Sequence, residues 1–308
     1  MANQWWQSAV VYQVYPRSFQ DSNGDGIGDL PGITQRLDYI KQLGADVIWL
    51  NPIYRSPGVD NGYDISDYYD INPEFGTMAD FDQLLTTAHA KGLKIMMDIV
   101  VNHSSDQNKW FTTSAQSKDN PYADYYIWRD PVDGHEPNNW GGFFGGSAWK
   151  YVASRDQYYL HSFAVEQPDL NWDNPQLRQA VYDMMNFWVN KGVDGFRLDV
   201  INLISKPDSF ADGQPEAGEP YAAIGGIIAN GPHLHESLQE MNQQVFAGHQ
   251  LMTVGETPGA TVADAKQLAS SQGQELNMVF EFEHMGLDGN PDPALGKWND
   301  QPVRMVDI

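Results

Sequence analysis

The sequence reads as an α/β protein built on a parallel barrel, and three observations lead there. Short apolar runs of β type alternate with helical segments, which is the rhythm of a parallel sheet. One long stretch, about residues 104–171, drops that rhythm. Several of the apolar runs end in charged or amide side chains, at the strand ends where barrel enzymes keep their chemistry. With 308 residues, the chain has room for one barrel of roughly 250 residues or for two smaller domains.

Taken in order, residues 10–15 form a β-run closed by Pro16. Residues 30–43 read as a helix, and 45–50 as a buried strand ending in Asn51-Pro52. A helix over 81–91 stops at Gly92, and an apolar strand over 93–101 ends in Asn102-His103. The segment 104–171 is rich in Asn, Asp, Gly, Trp and Tyr, with short β-like pieces such as 157–161. A loop that long inside a barrel is a functional lid or a small inserted domain. The rhythm resumes with a helix over 175–191, where Pro175 suits the first turn. Leu177, Val181, Met184 and Trp188 recur on one face of it, a core stripe with no function of its own. A strand over 193–200, a helix over 233–246, a strand over 250–255 ending in Glu256, a further helix and a strand over 276–282 follow. That makes about six strands of an eight-stranded barrel.

Composition narrows the partners. Lys plus Arg number 18 against 41 Asp plus Glu, a net charge of -23, which argues against nucleic acid or an anionic membrane. There is no cysteine, so no disulfide framework and no thiol chemistry. The first residues have neither the basic start nor the apolar core of a signal peptide. No apolar run approaches the roughly 18 residues of a membrane span. A cytoplasmic, monomeric protein is the expectation. Aromatics in polar contexts, such as Trp140-Gly141-Gly142-Phe143-Phe144, suit sugar faces as well as ordinary packing.

Residues 21–29 look like the front of a calcium loop. Asp21, Asn23, Asp25 and Asp29 place oxygen side chains at positions 1, 3, 5 and 9, Gly26 stands at 6, and Ile27 offers a carbonyl at 7. Gly32 stands where an EF-hand carries its bidentate Glu, and the preceding segment is a strand, so this is not an EF-hand. A structural calcium ion is expected; the alternative is an Asx-turn loop without metal.

The chemistry concentrates in Gly195-Phe196-Arg197-Leu198-Asp199-Val200. Strand side chains alternate faces, so Arg197 and Asp199 share one. In a barrel mouth the guanidinium lowers the pKa of the Asp and keeps it ionised, as suits a nucleophile; the same pair also reads as a structural ion pair. Asp199 and Glu256 end successive strands, and paired carboxylates across one mouth suggest glycoside hydrolysis. Glu256 has no basic neighbour in sequence, which lets it keep a proton to donate.

Asp98 to His103, Gly195 to Asp199, Gly255-Glu256 and Gln167-Pro168-Asp169-Leu170-Asn171-Trp172 together resemble the signature regions of the α-amylase family, glycoside hydrolase family 13, in order and along essentially the whole chain. Gln4-Trp5-Trp6, the 21–29 loop, Asp60-Asn61-Gly62-Tyr63-Asp64 and Phe282-Glu283-His284-Met285 resemble its oligo-1,6-glucosidase and dextran glucosidase branch. The resemblance implies a TIM (β/α)8 barrel with barrel residues 1–103 and 172–308 around an inserted domain B at 104–171. It implies that Asp199 is the nucleophile and Glu256 the acid that becomes the base. Arg197 and His103 would hold the nucleophile and the sugar hydroxyls, Tyr63 would stack under the ring, and Asp60 would bind hydroxyls at its non-reducing end. Phe144, Phe163 and Gln167 would close the pocket, with Phe143 a rival for the place of Phe144. Val200 resembles the residue that branch carries when α-1,6 is preferred over α-1,4; the alternative is an ordinary strand former at a strand end.

One feature of the family is missing. Its third acid, an Asp in an Asn-His-Asp region near strand seven, has no counterpart before Ile308. Strands seven and eight and the C-terminal β-domain have none either. Six strands leave an open edge, so the expectation is a part of a longer protein; the alternative is a truncated, inactive product. The activity implied is a retaining exo-α-glucosidase that cuts α-1,6-linked glucose from the non-reducing ends of isomalto-oligosaccharides. An α-1,4-glucosidase, or a glucosyl transferase or sucrose isomerase of the same family, is the alternative reaction. A non-catalytic sugar-binding or transporter-associated relative is the alternative of another class, against which the intact Asp199, Glu256 and Arg197 speak.

Overall fold

The computed structural model describes residues 4–270, 274–280 and 282. Its centre is one parallel sheet of six strands: β1 (Val11–Val14), β2 (Val47–Leu50), β3 (Lys94–Val100), β4 (Gly195–Asp199), β5 (Met252–Gly255) and β6 (Met278–Val279). The spatial order follows the chain order, with every neighbouring pair parallel. Crossovers through helices join the parallel strands, and the arrangement is the partial wall of a (β/α) barrel. Within this sheet β1 and β6 stand at the two edges.

Both faces of the strands are covered, which is why they read as nearly continuous apolar runs rather than as alternation. In β3 burial is continuous from Ile95 to Val100, and in β4 every residue is buried. Ile48, Leu50, Ile95, Met97, Ile99, Phe196 and Leu198 point outward into one cluster with Leu84, Leu85, Leu177, Val181 and Met184 of the surrounding helices. Inward, Val47, Met96, Met252 and Val254 pack with Trp5, Trp6, Trp49 and Phe280. The amino-terminal turn Trp5–Ser8 is pinned beneath the sheet by Trp5 Nε1, which donates to the Gln250 carbonyl at 2.9 Å.

Helix boundaries shift where local chemistry competes with the apolar pattern. The helix expected over 30–43 is two, Leu30–Gln35 and Leu37–Gln42, broken at Arg36 (φ -100, ψ 5). Arg36 Nε reaches Gln20 Oε1 at 2.7 Å at that break. The helix expected from 81 begins at Met78, because Thr77 and Asp80 form a reciprocal capping box ahead of the apolar face. Pro175–Lys191 forms as expected, with Asn174 as its cap and Gly192 closing it at φ 106. The helix expected over 233–246 is α-helical over Leu234–Met241 and then widens to a π-turn over Asn242–Phe246.

Where the βα rhythm lapses, the chain forms the helix Lys109–Ser114 and a small antiparallel sheet in the order Trp128–Arg129, Gln157–Leu160, Trp149–Val152. The isolated bridge of His103 with Asp169, and Leu170 N donating to the Asn102 carbonyl at 2.9 Å, tie this excursion back to the residues that follow β3. It therefore stands over the C-terminal mouth of the sheet. Of the stretch 282–285 singled out in the sequence, residues 283–285 lie outside the described residues, as does residue 281.

Candidate active site

The site forms because parallel strands in register bring their C-terminal ends together. Arg197 of β4 lies opposite Asp98 of β3 and Val254 of β5. The Arg197 guanidinium then collects three carboxylates. Its Nη1 donates to Asp98 Oδ1 at 2.8 Å and to Asp199 Oδ1 at 2.5 Å. Its Nη2 donates to Glu256 Oε2. The guanidinium also lies 5.2 Å from the Trp49 ring centroid and 5.9 Å from that of Tyr63.

Three acids and one cation, largely out of water, set the electrostatics. Burial works against the Arg197 charge, but Asp98, Asp199 and Glu256 together outweigh it and hold its pKa above the ordinary value. Asp98 is pushed up to about 6: burial raises it, while Arg197, Trp49 Nε1 and the Tyr63 hydroxyl oppose. For Asp199, burial again dominates, Arg197 opposes, and Glu256 and Asp98 add to the rise. Arg197 does lower the Asp199 pKa, as expected, but one guanidinium shared among three acids does not offset desolvation, so the net shift is upward. The expectation that Glu256 lacks a basic neighbour is corrected, since the barrel delivers Arg197 to it from the adjacent strand.

Glycine and backbone geometry matter at two points. A Cβ on Gly255 would lie 2.6 Å from Leu276 Cδ1 and 3.1 Å from Ile201 Cγ2, so a larger residue before Glu256 would have to displace those side chains. Val200 adopts φ 36, ψ 41, a left-handed conformation that a β-branched residue reaches only under constraint. Its N–H points toward Glu256 Oε2 at 3.4 Å, and the next N–H, of Ile201, donates to the Glu256 carbonyl at 2.9 Å.

A second group lies on the side of the inserted segment. Tyr63 OH donates to Asp98 Oδ2 at 3.0 Å and accepts from Asn51 Nδ2 at 2.9 Å. Its pKa is raised, first by burial and then by the Asp98 charge. Gln167 Nε2 donates to Asp60 Oδ2 at 3.0 Å and lies 3.2 Å from His103 Nε2. Burial holds the His103 pKa down, to about 4. Phe163 faces the His103 ring at 5.0 Å. Phe143 lies flat on Phe163, centroids 5.0 Å apart and planes 21° apart, while Phe144 meets it edge-on at 5.7 Å and is 60% exposed. Of the two, Phe143 makes the closer stack and Phe144 stands at the rim.

The 21–29 loop closes on backbone donors. Asp21 accepts from the N–H groups of Asn23, Gly24 and Gly26, Asn23 Oδ1 from that of Asp25, and Asp25 Oδ1 from that of Ile27. Those backbone bonds hold the Asp21 pKa low. Asp29 serves elsewhere: Oδ1 caps the helix Leu30–Gln35 at Gly32 N, and Oδ2 accepts from Ser22. Among the described residues no three His, Cys, Asp or Glu side chains converge as a metal site. The residues left to hold a cation would be Asp21, Asn23, Asp25 and the Ile27 carbonyl.

Asn51, Trp49, Asn102, Lys206 and Asp169 belong to the site's framework and were not singled out as functional in the sequence. Asn51 carried a visible signal as the polar residue at the end of β2; for Lys206, seven residues beyond Asp199, no local pattern pointed to it.

This set of residues, in this order around a parallel mouth, coincides with a known family. A model of the α-amylase catalytic domain matches residues 13–308. The chain belongs to the α-amylase family. Over all 308 of its residues it is 56% identical to an oligo-1,6-glucosidase of Parageobacillus thermoglucosidasius, covering 54% of that protein. It is 59% identical to an alpha-glucosidase of Pediococcus pentosaceus over 98% of this chain and 54% of that one. A crystal structure of trehalose-6-phosphate hydrolase from Bacillus licheniformis superposes with a TM-score of 0.89 at 52% identity, over 94% of this chain and 51% of that one. A trehalulose synthase structure gives 0.89 at 51% identity, over 93% of this chain and 51% of that one. The chain thus spans about half the length of the curated relatives it matches.

Proposed function

We propose that this chain carries the donor-sugar half of a retaining α-glucosidase that removes α-1,6-linked glucose from the non-reducing ends of isomalto-oligosaccharides. The observation that carries the reading is the pair Asp199 and Glu256, delivered by adjacent strands to one guanidinium at the barrel mouth. Two carboxylates so placed suit a double displacement. The Asp199 carboxylate attacks the anomeric carbon, forming an ester while the bond to the leaving oxygen breaks and Glu256 gives that oxygen its proton. Glu256, now a carboxylate, takes a proton from water as the water oxygen displaces Asp199. Arg197 must release Glu256 for the first transfer, and by staying on Asp199 it stabilises the carboxylate that leaves in the second step.

Binding roles follow from position. Asp60, Gln167 and His103 present a hydrogen-bonding edge for sugar hydroxyls, and Tyr63, steadied by Asp98 and Asn51, offers a ring face. Phe163, with Phe143 and Phe144, borders the pocket on the inserted side. We assign Val200 to biasing the linkage because it directly follows Asp199. The names of several relatives, among them a glucan 1,6-alpha-glucosidase of Streptococcus pneumoniae at 52% identity, favour α-1,6. The likeness to trehalulose synthase favours glucosyl transfer as the second reading. Glucose release from isomaltose, compared with maltose and with transfer products on sucrose, separates these readings. Faster release from isomaltose supports the first; release from maltose alone, or transfer in place of release, overturns it.

A structural calcium ion in the 21–29 loop is a separate proposal, supported by the oxygen donors of Asp21, Asn23, Asp25 and Ile27; Asp29, which caps a helix, is the weakest member of the expected set. Action in the cytoplasm is proposed on the cysteine-free composition; no helix among the described residues is long and apolar enough to cross a membrane.

A further inference from the structure

The reaction above requires Arg197 to let go of Glu256 and to stay on Asp199, and the hydrogen bonds of the guanidinium do not by themselves provide for that. Nη1 holds Asp98 and Asp199, Nη2 holds Glu256, and the buried Nε has no acceptor among the described residues. Once Glu256 departs, both remaining bonds run from one nitrogen. A planar group held at a single corner can turn about its Nε–Cζ bond, and turning draws Nη1 off Asp199. Some other contact has to hold the plane.

Trp49 is placed to do so. It stands on β2 in register with Met96 of β3, one layer below the facing pair Asp98 and Arg197. The guanidinium carbon lies over its ring at 5.2 Å from the centroid, where the ring face attracts a cation as well as blocking its rotation. Its Nε1 donates to Asp98 Oδ2 at 3.1 Å, the oxygen that Arg197 leaves free. One side chain thus touches both the cation and the carboxylate that anchors it. The indole is fixed in turn: Phe280 lies against it, centroids 5.8 Å apart and planes 33° apart, and Val47, Met96, Met252 and Val254 pack around it.

Two other rings approach the guanidinium carbon, Tyr63 at 5.9 Å and Phe280 at 6.0 Å. Tyr63 also donates to Asp98 Oδ2, but the glucosidase reading gives its ring face to the sugar. Phe280 carries no polar atom for Asp98. Trp49, below the pair, makes both contacts at every stage of the reaction. We propose that Trp49 is a positioning residue which holds the Arg197 guanidinium in its plane against Asp98, so that Arg197 releases Glu256 without leaving Asp199. The inference deepens the glucosidase reading and rests on it for the departure of Glu256.

The test is the ¹⁵N spectrum of the Arg197 guanidinium in the full chain carrying Glu256→Ala, which leaves Nη2 without its acceptor. The signal is assigned by its loss in Arg197→Lys. Rotation about Nε–Cζ exchanges the two Nη atoms, so a held plane gives two Nη signals and a turning one gives a single average. Glu256→Ala alone should keep two sharp signals. Adding Trp49→Leu should merge them. Adding Trp49→Phe, which keeps a ring face and loses the N–H, should broaden them without merging. Met96→Ala in the same background loosens the packing around the indole but makes no contact with the cation, and should leave two sharp signals. Two sharp signals in folded Trp49→Leu overturn the proposal. A single signal in Glu256→Ala alone overturns it, and so does one in Met96→Ala, which would assign the hold to general packing. Should Trp49→Leu fail to fold, signals in Trp49→Phe as sharp as in its parent overturn it instead. The spectrum needs no substrate, so a chain inactive on isomaltose with the expected signals would sink the glucosidase reading alone.

Discussion

Replacing Asp98 with Asn removes one of three carboxylates from a single guanidinium and leaves one acceptor oxygen where two served Arg197, Trp49 and Tyr63, a cost that does not vary with pH. In the native site Asp98 is fully enclosed, and its pKa rises from 3.8 to about 6 because burial outweighs Arg197, Trp49 and Tyr63. A carboxyl with a raised folded-state pKa binds its proton more tightly in the native protein than in the unfolded chain. The stability it contributes is thus fully present below about pH 4 and is lost as pH rises through about 6. The difference corresponds to about 3 kcal/mol. Asn at this position does not titrate. Urea unfolding of the native chain and of Asp98→Asn, measured in steps from about pH 4 to about pH 8, isolates the effect as the difference between two stability curves. Relative to the variant, the native chain should lose about 3 kcal/mol across that window. A flat difference, or one that rises with pH, would show that Arg197 dominates over burial and would refute the electrostatics given for the site.

Other expected outcomes concern the framework, the metal and the linkage. Trp188→Ala empties a site walled by Tyr54, Phe81 and Phe187 and removes the donor to the Tyr68 carbonyl; it should cost about 3–5 kcal/mol in denaturant unfolding. Chelation should lower the melting temperature if calcium occupies the 21–29 loop, and an unchanged melt removes the metal. Val200→Ala should narrow the preference for isomaltose over maltose by roughly 10–100-fold in kcat/KM, the range that a few methyl groups in a pocket wall can supply. An unaltered ratio would return Val200 to the role of a strand-end residue.

What was legible in the sequence was set by local rules. The helix Pro175–Lys191 carried its own cap, its proline and its closing glycine, so its bounds could be read directly. The strands could be read because a parallel sheet buried on both faces needs unbroken apolar runs. The pairing of Arg197 with Asp199 followed from strand alternation alone. The contacts of Arg197 with Glu256 and Asp98 did not, because they depend on register between strands separated by whole helices. That is why Glu256 looked free of a basic neighbour. The break at Arg36 and the early start at Met78 escaped the periodicity because side-chain bonds to Gln20 and a capping box decided them. Lys206 was invisible for a related reason: beside the local Leu203 carbonyl, its acceptors come from just after β3 and from the inserted segment, residues that meet only when the chain is folded.

The central claim is that Asp199 becomes covalently attached to the sugar. Incubation with a 5-fluoro-α-glucosyl fluoride, which forms the glycosyl-enzyme faster than it breaks down, followed by peptide mapping in the mass spectrometer, addresses it directly. The account expects one added fluoroglucosyl group, on the peptide that contains Asp199, and none in Asp199→Asn. Label on Glu256, Asp98 or any other residue, or undiminished labelling of Asp199→Asn, would contradict it.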